Sequence, residues 1–479
     1  MTTPDVIVVG AGFAGLSAAA MLAAAGKRVL VLDARPQLGG RATAFTDRVT
    51  GELVDNGQHV LFGCYHETFA FLRRIGAEKN VQLQPAMAVP FLDLQGTRSE
   101  LRCPPLPPPL HLVAGVLRWT ALPLADRLSV LRMAGPLMSA RKKIVRDPAA
   151  VLATDSVTVS EWLQRAGQGS RIREWLWDPL AVAALNQAPD AASATTFVRV
   201  LAELFGPRAS DSALALPVVP LHEAYALPAQ AFVAARGGEV RTNALARLSF
   251  AGADRPGHLR VDVRGGSSIT APVIAAVPWF ALGALTGALD APPLRPIVDR
   301  ASAMASKPIV TVNLWYDAPV MDERFIGLPG RVTQWVFDKS LVLRAGVPNE
   351  GCGTHRASHL SLVSSAADTI AGKDDAALIE IATTEIAGAL PRARGARLRH
   401  ATVIREKRAT FSLAPGQPAR PETRTPVRGL YLAGDWIGAE GYLIDATLAS
   451  ARQATHLLLH SDLATLRRAA PSLSMASAV

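Results

Sequence analysis

The stretch that most limits what this chain can fold into is its first forty residues. Val6–Val9 is an uncharged β-branched run of the kind that buries as a central parallel strand. Gly10, Gly12 and Gly15 follow at once in G-x-G-x-x-G spacing. An Ala-rich helical run over residues 16–25 comes next, then Gly26 as a stop, then a second apolar strand, Val29–Leu32, ending on Asp33. Each glycine meets a separate physical need. The first makes a tight turn, the second lets backbone approach a pyrophosphate, and the third lets helix pack closely on strand. The helix N-terminus turns free N–H groups toward phosphate charge. Asp33, eighteen residues past Gly15, stands where an acid accepts from an adenosine ribose hydroxyl. Strand, glycines, helix, strand and acid in this order predict a dinucleotide-binding βαβ unit. The alternative is an ordinary βαβ unit whose glycines serve only packing. Residues 6–26 are uncharged and long enough to span a bilayer, but Ala and Gly make them too weakly hydrophobic for it.

At 479 residues the chain exceeds one compact core, so two domains, or one with a large insertion, are expected. Apolar residues make up 49% and charged residues 19%, with a mean hydropathy of +0.20, which fits a large core plus an apolar surface or tunnel. A net charge of +10 would suit nucleic acid or an anionic membrane. No Lys/Arg run interleaves with aromatics, so nucleic acid is not expected as a partner. Dispersed arginines on a solvated surface, or attraction to a membrane, remain. Cys64, Cys103 and Cys352 are too far apart for a metal or disulfide pattern. With no signal peptide ahead of the glycine motif, a reducing, cytoplasmic setting is expected. Residues 271–289 are also uncharged, but Pro272 and Pro278 cut them into a strand and a short helix.

After Asp33, Gly39-Gly40 and Arg41 predict a turn whose backbone approaches the nucleotide, with Arg41 near its phosphates. VDNGQHVLFGCYHETFAFLRRIG begins as strand or loop and becomes an amphipathic helix with Phe69, Leu72 and Ile75 on one face. CPPLPPPL can be neither helix nor central strand and marks a linker or rigid edge. Residues 110–145 are helical and apolar, interrupted by Arg118, Arg127, Arg132 and Arg141-Lys142-Lys143. That suits a helix lying in a membrane interface, or one packed on its own neighbours. Further helices are expected over 160–167, 171–185 and 376–390, and strands over 259–263, 309–316 and 360–364. Residues 232–250 predict helix, Gly-Gly turn and strand, and 429–453 strand, glycine turn and helix. Beyond 461 the tail is expected to fray.

With these segments in place, GAGFAG, RPQLGGRA, DNGQH and the late YLAGDW resemble the FAD-dependent amine oxidase and phytoene desaturase superfamily, from Val6 to about Leu459. VDNGQHVLFGCYHET, WDPLAVAALNQAPDAASATTFVRVL, VTVNLWYDAPV and EKRATFSLAPGQPARPETRTPVRGLYLAGDW resemble, more narrowly, the hydroxysqualene dehydroxylases, the squalene-associated FAD-dependent desaturases of bacterial hopanoid pathways. The implied fold class is α/β. A Rossmann-type FAD-binding domain is assembled from residues 1–80, 220–290 and 405–460. A mixed α+β substrate domain takes 81–219 and 291–404, with membrane-facing helices near 110–145 and a flexible tail over 461–479. The resemblance implies that Gly10, Ala11, Gly12, Phe13, Ala14, Gly15, Asp33, Ala34 and Arg35 hold the ADP half of FAD. Gly39, Gly40 and Arg41 would lie along the pyrophosphate and ribityl chain, Val240 would bind adenine through its backbone, and Gly434 and Asp435 would bind the phosphate–ribityl region. Gly57, Gln58 and His59, with Leu443 and Ile444, would sit near the flavin ring. One departure stands out: GYLIDATLAS lacks the proline of the relatives' flavin-contacting loop, and Thr447 falls where they carry Glu.

A flavin moves hydride while the protein supplies binding, orientation and electrostatics. The implied reaction protonates the hydroxyl of hydroxysqualene, releases water, and passes hydride from reduced FAD to the cation. It needs one acid and an otherwise apolar pocket. His59 is the first candidate acid, because its ordinary pKa suits proton donation near neutrality; the alternative is that it only orients its loop. Asp445, Tyr442 and Asp338 are further candidates, and no paired-carboxylate arrangement is visible. The implied partners are a lipophilic triterpene, an unidentified electron donor and the inner face of the cytoplasmic membrane. Competing expectations are a carotenoid-type desaturase or isomerase, and a non-catalytic prenyl-lipid binding protein.

Overall fold

The computed structural model of the chain describes residues 3–147, 156–251, 258–343, 357–438 and 444–469. At its centre is a five-stranded, all-parallel sheet in the order Glu239–Arg241, Val29–Leu32, Val6–Val9, Val273–Ala275, Leu430–Leu432. Val6–Val9, Val29–Leu32, Val273–Ala275 and Leu430–Leu432 are buried throughout, as uncharged runs covered on both faces must be. The helix Phe13–Ala24 packs on one face through Leu16, Ala19, Ala20 and Leu22, and the last helix, Ile444–Ala469, packs beside it through Leu448, Ala451 and Leu458. That helix continues past residue 461, where fraying was expected. Cys352, Tyr442 and Leu443 lie outside the described residues.

A seven-stranded sheet forms the second layer, in the order Leu398–Phe411, Ser306–Tyr316, Ser358–Ser364, Trp335–Asp338, Phe325–Gly327, Ala88–Leu92, Arg98–Arg102. Strand alternation gives it two faces. Val312, Leu314, Leu360 and Leu362 pack on Leu378, Ala382 and Ile386 of the helix Asp375–Ala389. Trp315, Thr311 and Thr402, on the other face, meet the hairpin formed by Ala44–Thr46 and Leu53–Asp55 and the loop after it. Trp315 Nε1 donates to Glu52 at 2.8 Å and Thr402 Oγ1 to Asp47 at 2.7 Å. The strand Leu398–Phe411 is continuous through the expected domain boundary at residue 405.

The proline block leads into the helix Leu110–Arg118, followed by Leu124–Ser129 and Ala134–Arg146. Val116, Trp119, Leu122 and Met133 are buried in the main core, while Leu110, Leu124, Leu128, Leu131 and Met138 are exposed. One side of this segment therefore packs on its own neighbours, as one of the two sequence expectations had it, and the other side is bare. No helix among the described residues is long and apolar enough to cross a membrane.

Candidate active site

The glycine loop separates two demands. A Cβ on Gly10 would come within 2.4 Å of the Ala276 carbonyl oxygen, and one on Gly15 within 1.8 Å of that of Gly10, so both are required by the protein's own packing. A Cβ on Gly12 would meet no protein atom nearer than 3.8 Å, the Cα of Gly40. The helix beginning at Phe13 has Gly12 as N-cap and no side-chain cap, so Phe13, Ala14 and Gly15 present backbone N–H groups at the edge of that space. A groove floored by backbone, with a helix N-terminus at its rim, fits a pyrophosphate.

Asp33 accepts from the Ala11 N–H at 2.7 Å and the Arg35 N–H at 2.8 Å. These bonds fix its carboxylate at the mouth of the groove and leave lone pairs for ribose hydroxyls. Ala34 is exposed beside it, and Arg35 Nη1 reaches the Gly40 carbonyl at 3.1 Å. Val240 lies on the edge strand, paired on one side only with Val31. Gly39 and Gly40 both take positive φ, +104° and +58°, which the turn requires. Tyr225, missed by the sequence reading, holds that turn: its hydroxyl donates to the Gly39 carbonyl at 2.7 Å and its ring stacks on Phe13 at 3.7 Å. It belongs to a π-helical turn, His222–Ala226, a distortion that recurs at functional sites.

The far end of the groove is closed by residues from both ends of the chain. Arg41 pairs with Asp435 at 2.7 Å and donates to the Ala409 carbonyl at 2.8 Å. Gly434 N–H donates to Ser450 Oγ at 2.9 Å, tying the turn to the last helix. Asn56 bonds Thr43 and Arg41. Lys339, also missed, is 3% exposed on its side chain and donates to Asp55 at 2.6 Å and to Gln58 Oε1 at 2.8 Å. The pair sets the loop that carries Gly57, Gln58 and His59, and Gly57 faces Thr311 of the second sheet.

The acid candidates fare differently. Burial lowers the pKa of His59, which disfavours the protonated ring that a proton donor needs. Its Nδ1 lies 3.4 Å from the Gly57 carbonyl, and its ring lines a small apolar cavity with Phe13, Thr68 and Tyr225. Asp338 is fully buried and caps the turn Lys339–Val342, accepting from Ser340 and Ser358, which removes it as a donor to substrate. Asp445 accepts from Thr68 N–H at 2.7 Å and Thr68 Oγ1 at 3.0 Å, beside Ile444 at the start of the last helix.

Taken together, the parallel sheet, the groove and its two closing ends define an FAD-dependent oxidoreductase. The family model for flavin containing amine oxidoreductases matches residues 13–459, and the chain belongs to that family. A hydroxysqualene dehydroxylase from Rhodopseudomonas palustris is 30% identical over 464 residues, covering 94% of this chain and 97% of the relative. A zeta-carotene desaturase from Arabidopsis thaliana is 26% identical, over 94% of this chain and 84% of the relative. A putrescine oxidase structure superposes with a TM-score of 0.71 at 18% identity, covering 96% of this chain and 99% of that one, which shows the shared fold. A non-catalytic escort role is set aside by these results.

Asp33→Ala and Asp435→Ala are each expected to weaken FAD retention by about ten- to a hundredfold, the scale of lost hydrogen bonds to a charged group. Flavin absorbance per polypeptide after dialysis measures it. Wild-type stoichiometry in both variants would remove these residues from the site.

Proposed function

We propose that the chain removes the hydroxyl of hydroxysqualene reductively, giving squalene for hopanoid synthesis. The observation that carries this reading is the near full-length match to a hydroxysqualene dehydroxylase at 30% identity. When bound, FAD supplies the two-electron hydride chemistry. The residues of this chain bind it, keep water from the reacting carbon and hold a long hydrocarbon. A cleft lined by Phe91, Val182, Leu328 and Trp335 suits the hydrocarbon. Its floor shares a sheet face with Thr311, through the cross-strand neighbours Val363, Trp335, Gly327 and Phe91. Four strand spacings separate Thr311 from Phe91, roughly 19 Å, a distance suited to an extended polyprenyl chain.

The bare face over residues 110–141 supports delivery from a membrane. Leu124 and Leu128 are 62% and 48% exposed, and Arg118, Arg132, Arg141, Lys142 and Lys143 are exposed along the same segment. Exposed apolar side chains and cations in one segment fit an anionic lipid surface. The second reading, a carotenoid desaturase, is favoured by the desaturase relatives at 26% identity. Purified protein with FAD and a reductant, offered each substrate in anionic vesicles, separates the two. Squalene from hydroxysqualene is the expected product. Dehydrogenation of phytoene, with the alcohol untouched, would overturn the assignment.

A further inference from the structure

One face of the last helix, Ile444–Ala469, is fixed on the core by Leu448, Ala451, Ala454 and Leu458, all buried. Thr455 Oγ1 donates to the Ala451 carbonyl at 2.9 Å, so that buried hydroxyl is satisfied within the helix. His456 and His460 are exposed on the other side. Helical periodicity turns each of them about 200° around the axis from Leu458.

Residues four apart lie one above the other on a helix surface. The two imidazole rings stack here, with centroids 3.8 Å apart and planes inclined by 24°. His460 Nδ1 lies 2.9 Å from the His456 carbonyl oxygen. A carbonyl oxygen only accepts, so Nδ1 carries the hydrogen in this bond. In the neutral ring Nε2 then keeps its lone pair.

We propose that His456 and His460 form a binding site for a divalent transition-metal ion, of the Cu²⁺, Ni²⁺ and Zn²⁺ class, on the outer face of the last helix. The site is independent of the substrate assignment above.

Paired histidines at i and i+4 on one helix face are the spacing by which helical sites hold zinc. A histidine ligand commonly donates its other ring N–H to a backbone carbonyl, which fixes the tautomer and orients the ring. His460 makes that bond within its own helix. Exposed side chains reorient quickly, so the stacked rings can turn their nitrogens onto one ion. Buried Ala454 and Leu458 meanwhile hold the backbone that sets their spacing.

Imidazole nitrogen selects such ions over Mg²⁺ and Ca²⁺, which take oxygen ligands. Among the described residues no group of three or more His, Cys, Asp and Glu is arranged to hold a metal, so water completes the coordination. One turn earlier on the same stripe, Arg452 pairs with Glu67 at 2.8 Å, which offsets a charge that would oppose a cation. Ser450, which holds Gly434 at the groove, lies about 9 Å back along the axis from His456. Metal binding and flavin binding can therefore be measured separately.

The test uses the full-length, FAD-loaded protein without an affinity tag, titrated with Cu²⁺ and followed by electron paramagnetic resonance. The wild type is expected to take up one copper per chain with splitting from two imidazole nitrogens. His456→Gln and His460→Gln should each weaken binding by at least about tenfold, since even a residue that only orients a ligand costs that much. Each should leave the splitting of a single nitrogen. Flavin absorbance per polypeptide should stay at the wild-type value in both, which separates a lost ligand from a lost fold. Excess Zn²⁺ should displace the copper, and the same excess of Mg²⁺ should leave it bound. His66, whose side chain is 54% exposed on another helix, supplies the control. His66→Gln should bind copper as the wild type does. A wild type without a two-nitrogen signal overturns the assignment. So does an unchanged affinity and signal in both histidine variants, or a signal lost in His66→Gln and kept in them.

Discussion

Gly15→Ala is expected to prevent accumulation of folded flavoprotein, whereas Gly12→Ala should fold and fail to hold FAD. The contrast comes from what a methyl group would meet. At Gly15 it would strike the Gly10 carbonyl at 1.8 Å, a backbone atom in the turn between the first strand and its helix. Neither partner can rotate away, so the helix must lift from the sheet, and with it Leu16, Ala19 and Leu22 leave a core in which each is fully buried. Overpacking of this kind costs about 1–3 kcal/mol where the core can yield and more where backbone is the obstacle. Unfolding of the central sheet against a typical net stability of about 5–15 kcal/mol is then within reach of one substitution. At Gly12 the nearest protein atom is 3.8 Å away, so the added methyl is tolerated by the polypeptide and excludes only the ligand. Urea denaturation of the two apoproteins, with flavin titration of each, checks both halves. Equal destabilisation by the two changes would show that the space over Gly12 is not reserved for a ligand.

Lys339→Met is expected to destabilise the protein by about 3–5 kcal/mol, because breaking a buried ion pair strands the remaining charge. Among the described residues, Asp55 would keep only the Leu221 N–H, at 2.8 Å, as a donor, inside a region where its side chain is 6% exposed. The double variant Asp55→Leu/Lys339→Met should recover part of that loss, since no unpaired charge remains. A coupling of about 0.5–3 kcal/mol between the sites is the measurable signature. Flavin affinity should fall in Lys339→Met as well, through Gln58, which loses its 2.8 Å bond from the same ammonium. Additive effects of the two substitutions in a urea series would dissolve the pairing.

What the sequence disclosed and what it hid divide along the range of the contacts involved. The βαβ unit was legible because its strand, glycines, helix and Asp33 are consecutive, and each imposes a local conformation. Asp435 was legible because AGDW is a local turn with a recognisable companion in GAGFAG. Lys339 was not: it meets Asp55 across 284 residues, and nothing near FDKS marks a buried ammonium. Tyr225 was hidden for the same reason, since it reaches Gly39 across 186 residues from a helical turn. The downward pull of burial on His59 was hidden too, since no motif encodes burial.

The order of strands in the central sheet has a consequence for how the protein is made. Leu430–Leu432 forms one edge, and Asp435 closes on Arg41 from 394 residues away. During synthesis, therefore, the nucleotide-binding half stays open-ended until Leu430–Leu432 and Asp435 have been translated. A ribosome-bound chain not yet extended to Leu430 would display an unpaired parallel edge and a groove with one wall. Such edges are prone to association with other chains. The supply of FAD thus acts only after Asp435 has joined Arg41, and a shortage of the vitamin from which it is made would be felt as aggregation of newly made protein.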